Sequence, residues 1–164
     1  MAGAAPPAPQ GPAPAAPAAL LGALARLRRS PRGLLRGAQI GLVGHDGRAA
    51  RTRTLTQAAL ELGARVSLLE REALVAGGHA PEAVRLLGRL YDGLDCDSAD
   101  AGYLDWLAAE SGLPVTSLVT PGSASALALA GLEGTPAAAA FGAAERPLRL
   151  LQAGLLVAFG ARRG

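Results

Sequence analysis

Lysine and asparagine are missing from this 164-residue chain, so all sixteen of its basic residues are arginine. That bias, shared with alanine, glycine and proline, has the look of a high-GC coding sequence rather than of selection for one ligand. Aromatic residues make up only 3% of the chain, so a core has to be filled from leucine, alanine and valine. The single cysteine, Cys96, excludes an intrachain disulfide. With two histidines and no paired-cysteine spacing, a structural zinc set is not expected either. No apolar run reaches the ~18 residues of a membrane span. The first residues lack the basic start of a secretory signal and are broken by proline, so a cytoplasmic location is expected. The net charge of +3 is spread along the chain and not clustered with aromatics, which argues against a nucleic-acid partner.

What is present is an alternation. Residues 1–18 are almost wholly alanine, proline and glycine and are expected to form a disordered leader. Leu20, Leu21, Leu24 and Leu27 recur at helical spacing up to Arg29, and Ser30-Pro31 breaks the pattern. Four strand-like runs follow: Gln39–Gly44, Arg65–Glu70, Gly93–Asp97 and Val115–Val119. Helical patterns over Ala50–Leu62, Pro81–Tyr91, Asp100–Glu110 and Ser123–Leu132 come after them in turn. Gly63 suits the first helix as its C-cap, Pro81 suits a first turn, and Asp100 is a candidate N-cap. Four β–α units in series predict an α/β fold: a three-layer α/β/α domain over residues 19–134 with a parallel sheet of about four strands. Residues 135–147 read as an Ala-rich linker, and 148–160 as an apolar helix that must pack on the domain.

The chemistry that stands out is Arg51-Thr52-Arg53-Thr54, at the junction between the first strand and the next helix. Helix N-termini present free N–H groups and a positive dipole end, which suit an anion. Guanidiniums and hydroxyls there suggest a phosphate cradle, with Ala50, Arg51, Thr52 and Arg53 as the candidate phosphate-binding residues. The remaining polar residues suggest less. His45 and His79 have no carboxylate at a readable spacing to orient them. Cys96 reads as a core thiol. Asp95, Asp97 and Asp100 lack the glycine turn and distal glutamate of a calcium loop. Gly41-x-x-Gly44 is not a dinucleotide fingerprint. Tyr103 and Trp106 read as packing or subunit-contact residues on a helix. No metal, no cofactor and no catalytic residue are assigned.

The order of these features resembles the carbamoyltransferases, and in particular the carbamoyl-phosphate-binding domain of ornithine carbamoyltransferase. Leu34-Leu35-Arg36-Gly37-Ala38-Gln39-Ile40-Gly41-Leu42 looks like that family's approach to its first strand. Arg51-Thr52-Arg53 looks like the end of its Ser-Thr-Arg-Thr-Arg phosphate loop. Leu62–Val66, Gly78-His79, Val84–Leu94 and Leu113-Pro114-Val115 resemble later segments in the same order. Glu145 to Leu156 looks like the family's last helix, which returns to the first domain. The resemblance implies carbamoyl transfer to an amino acid in arginine biosynthesis, carbamoyl phosphate or phosphate as ligand, and a homotrimer or association with an intact carbamoyltransferase. It also implies that the amino-acid-binding domain, which would lie between Leu132 and the last helix, is missing.

Against that pattern the chain departs where the ligand should sit. With the arginines aligned, Ala49 and Ala50 replace the loop's serine and threonine, at the cost of a one-residue deletion. Counted back from Gly63 without a gap, Arg48 takes the serine place and Ala50 that of the first arginine. Cys96-Asp97 stands where the family has an arginine after its third strand, and Gly122-Ser123-Ala124-Ser125 replaces its His-Pro-x-Gln loop. No appreciable transcarbamoylase activity is therefore expected. The alternatives are a non-enzymatic small-anion-binding or scaffold module associating with an intact carbamoyltransferase, and an enzyme-like small-anion binder doing unrelated chemistry with Arg48, Arg51 and Arg53.

Overall fold

The computed structural model describes residues 11–75 and 80–163. Gly78, His79 and the first ten residues of the expected leader lie outside them.

Four strands, β1 (Gln39–Val43), β2 (Arg65–Leu69), β3 (Gly93–Cys96) and β4 (Val115–Thr116), form one parallel sheet in the order β2-β1-β3-β4. β1 is central and pairs on one side in the register Ile40↔Val66, on the other Ile40↔Gly93. The helices are α1 (Pro17–Arg29), α2 (Ala50–Glu61), α3 (Arg71–Val75), α4 (Ala80–Leu90), α5 (Ala101–Ser111), α6 (Ala124–Ala130), α7 (Pro136–Ala139) and α8 (Arg146–Phe159). The α/β class and the parallel four-stranded sheet expected from the β–α alternation are what forms.

Strand alternation sorts the core into two layers. Ile40 and Leu42 of β1 face α1, α2 and α8, burying Leu24, Leu55 and Leu155 with them. Val43, Leu94 and Cys96 face α4 and α5, against Val84, Leu87 and Leu107. The sheet is thus covered on both sides, as a parallel sheet requires. Gly41 is needed because a Cβ there would lie 2.8 Å from Leu94 Cδ2 and 2.9 Å from Leu69 Cδ1. Gly93 opens the slot for the ring of Phe159, which is 1% exposed.

Local signals explain most boundaries. The Asp100 carboxylate accepts from Tyr103 N at 3.1 Å and caps α5, and Gly112 closes that helix at φ 67°. Gly63, at φ 88°, follows α2. Ser123 caps α6 instead of starting it, accepting from Ala126 N at 3.1 Å. Most boundaries shift by a residue or two from the sequence reading, α3 is an addition to it, and larger differences fall at α1, α7 and β4. α1 begins at Pro17, inside the stretch read as leader, because Pro is well suited to a first helical turn. Thr135 caps the short α7 within the stretch read as linker. β4 is only two residues long, because its ladder with β3 spans just Leu94↔Val115 and Asp95↔Thr116. Residues 150–156 and Phe159 of α8 are buried, and Gln152 donates to Glu61 Oε2 of α2 at 3.1 Å. Among the described residues, no helix is long and apolar enough to cross a membrane.

Candidate functional site

In an open parallel sheet the strand order reverses at one point, and the loops leaving the two strands there diverge to leave a crevice. In this chain that point lies between β1 and β3, so the crevice is walled by Gly44–Ala49 after β1 and by Asp97 after β3. The crevice continues towards the end of β2 and the start of α3, so that its volume of about 570 Å³ is lined by residues 44–47 and 68–72, with Asp97 from the β3 side. Gly44 turns the chain at φ 71°. Asp46 then fixes the loop: its carboxylate accepts from Arg48 N at 2.9 Å and its carbonyl from Ala49 N at 3.0 Å. α2 starts immediately afterwards, with Ala49 as its N-cap and no side chain to bond the first N–H groups.

The four sequence-derived site residues occupy this first turn but do not converge. Ala50 is the first helical residue and is exposed. The Arg51 guanidinium donates to Asp97 Oδ2 at 2.8 Å. Thr52 is 1% exposed and points inward, its Oγ1 3.4 Å from His45 Nδ1. Arg53 turns to the outer side of α2, beside Thr56, Leu60 and Leu68 of a separate groove. Neighbours at i and i+2 on a helix face away from each other, so Arg51 and Arg53 cannot grip one anion. Of the set, Arg51 alone reaches the crevice mouth, and there it meets a carboxylate belonging to the protein itself.

Behind that pair lies a buried network that the spacing of the sequence did not reveal. His45 Nε2 is 2.8 Å from Asp95 Oδ1, and both side chains are fully shielded from solvent. A carboxylate only accepts, so Nε2 carries the hydrogen and Nδ1 is left facing Thr52. Asp95 Oδ2 also accepts from Thr116 Oγ1 at 2.7 Å and from Leu118 N at 2.9 Å. His45 therefore does have an orienting carboxylate, fifty residues away and one strand over. The signal that could have found it is Asp95 itself: an acid inside a buried strand, between Leu94 and Cys96, requires partners. The network ties β1, β3, β4 and α2 together.

Asp97 is held by two donors, Arg51 and the Thr120 hydroxyl at 2.7 Å. Burial pushes its carboxyl up, but those hydrogen bonds and the nearby positive charge outweigh burial, and the net effect is a lowered pKa. Asp100 is engaged in capping α5, so the three aspartates of this stretch point to three different tasks. Cys96 is fully buried, and burial pushes its thiol up to about 12, so it is not a thiolate nucleophile near neutral pH. Tyr103 and Trp106 stack at 5.8 Å, and the Arg71 guanidinium sits 3.8 Å over the Tyr103 ring, fastening α3 to α5. The crevice also includes Asp46, Glu70 and Glu72 alongside Asp97, with Arg71 as their counter-charge. Its electrostatics oppose a dianion.

No protein-family model matches the chain, and no curated protein matches it in sequence. Solved structures do match its fold. They include ornithine carbamoyltransferase from Thermus thermophilus, at 23% identity and a TM-score of 0.51 over 63% of this chain and 38% of that one. The anabolic ornithine carbamoyltransferase from Campylobacter jejuni matches at 21% and 0.52, over 63% and 35%. Ornithine carbamoyltransferase from Pyrococcus furiosus matches at 20% and 0.51, over 61% and 34%. The fold is that of a partial carbamoyltransferase-like domain, and the chain matches little more than a third of the length of these proteins.

Proposed function

We propose that this chain is a carbamoyl-phosphate-binding-type domain that does not itself transfer the carbamoyl group, and whose remaining anion site is kept weak by an internal carboxylate. The observation that carries this reading is the 2.8 Å pair between Arg51 and Asp97. A phosphate dianion at the start of α2 has to displace Asp97 from Arg51 and then remain beside its negative charge. At the dielectric of a partly exposed site, one such like charge a few ångströms away lowers affinity by about ten-fold or more. Carbamoyl transfer needs donors aimed at the oxygen that becomes charged. The family's arginine and His-Pro-x-Gln loop, which the resemblance would put in that role, are replaced here by Cys96-Asp97 and Gly122–Ser125. The role left to the chain is association, either as a homotrimer or with an intact carbamoyltransferase that supplies the second substrate's domain.

Calorimetry with carbamoyl phosphate and with inorganic phosphate tests the site. The wild-type chain binds both weakly, Asp97→Asn tightens binding by about ten-fold, and Arg51→Ala removes it. Tight binding by the wild type, or binding indifferent to Arg51, overturns the reading, as does carbamoylation of ornithine by the chain alone. Sedimentation with and without an intact ornithine carbamoyltransferase tests the association. A monomer that ignores the enzyme ends that part.

A further inference from the structure

The open edge of β4 carries a second feature, unrelated to the anion site. β4 pairs with β3 on one side only, and its two residues leave space beside them. Helices from both faces of the sheet close in on that space: α5 with Ala108, α1 with Leu20, α6 with Ala128, and α8 with Val157 and Ala158. Pro12, Ala13 and Ala15 pass across the outside, anchored by Gly11 N donating to Asp105 Oδ2 at 3.1 Å. The result is a pocket of about 300 Å³, partly open to solvent.

We infer that this cavity is a binding site for a small uncharged apolar molecule, of the size of an alkylbenzene or a short-chain alcohol. Among the described residues no charged side chain lines it, and Thr116 and Ser125 supply its only side-chain hydroxyls. The Thr116 hydroxyl is already donated to Asp95. The pocket is partly open to solvent, and its walls offer water few free polar partners, so an apolar ligand displaces weakly held water. The volume lies at the lower end of natural ligand pockets, which bind by contact and need few polar groups. The walls cannot simply collapse inward on the α8 side: a Cβ on Gly154 would stand 2.8 Å from Leu118 Cδ2, so α8 and the segment that follows β4 are already in contact there. This inference does not rest on the proposed function, and either can fail alone.

The test is titration of the full chain with toluene and with n-hexanol, followed by amide chemical shifts and by thermal melting. Expected are saturable shifts grouped at Val115, Ala128 and Val157, and a melting temperature that rises with ligand concentration. Ala158→Leu fills the space and loses about ten-fold or more in affinity while melting no lower than the wild type. If that variant fails to fold, Ala128→Leu gives the same reading from the α6 wall. The inference is overturned by no saturable response to either probe, by shifts scattered over the surface, or by a folded filling variant that binds as the wild type does.

Discussion

Two regions of one sheet follow different rules in this protein. On the side of α1, α2 and α8, leucines and alanines from distant parts of the chain pack into a continuous layer that includes Leu24, Ile40, Leu55, Leu155 and Phe159. At the carboxyl ends of β1 and β3, a few polar residues face one another and satisfy one another. Apolar packing depends on volume and pattern, so a skewed composition can sustain it by substituting one aliphatic for another. A ligand site depends on the charge at single positions, and here Arg51 already has a carboxylate partner in Asp97. The fold is accordingly recognisable at 20–23% identity to solved carbamoyltransferases.

The contrast can be broken from either side. Phe159→Ala carries the largest expected effect: its ring fills the slot over Gly93, and truncation costs about 3–5 kcal/mol in denaturant unfolding. Asp95→Ala comes next. It strands His45, Thr116 and Leu118 N in the interior and costs about 3 kcal/mol, with an unfolding curve shifted at neutral pH. If that loss is under about 1 kcal/mol, the polar network is not structural and the distinction between the regions weakens. Ala49→Ser works in the opposite direction, giving α2 the cap it lacks and raising stability by about 1 kcal/mol.

Asp97→Asn has a smaller effect on stability, below about 1 kcal/mol, because the partner guanidinium is half exposed. Its signature is in pH. The folded-state pKa of Asp97 is lowered, so its stabilising contribution is complete above the ordinary carboxylate range near pH 4 and is lost as the pH falls through and below it. The wild type loses this increment in acid, and Asp97→Asn shows a flatter acid limb in melting temperature against pH. An unchanged acid limb would mean that Asp97 titrates alike in folded and unfolded chains. Last, Arg53→Ala changes stability by less than about 0.5 kcal/mol and leaves phosphate affinity untouched, since Arg53 is on the far side of α2 from Arg51. A clear loss of phosphate binding in that variant would show that Arg53 shares the site after all.

Much of the scaffold was legible from the residues. Alternating apolar runs and helical stripes located the four strands, and Asp100, Gly63 and Gly112 mark boundaries by local chemistry that needs no partner. The short helices α3 and α7 were not legible, because α3 is fastened by Arg71 stacking on a ring thirty-two residues away and α7 carries an alanine run with no stripe. The arginine–threonine cluster was visible as composition. Its dispersal was not, because that follows from where the first turn of α2 begins. A shift of one residue in that start rotates every side chain by about 100°.

The order of apolar and polar residues, by itself, determined a parallel sheet sheathed in helices and a turn rich in positive charge after the first strand. Periodicity and capping are properties of neighbours along the chain, and the chain records them directly. Only the folded molecule decided that Arg51 faces Asp97, that His45 rests on Asp95, and that Arg53 faces elsewhere. Those pairings join residues forty-six and fifty positions apart, and their chemistry depends on ångström distances set by strand register.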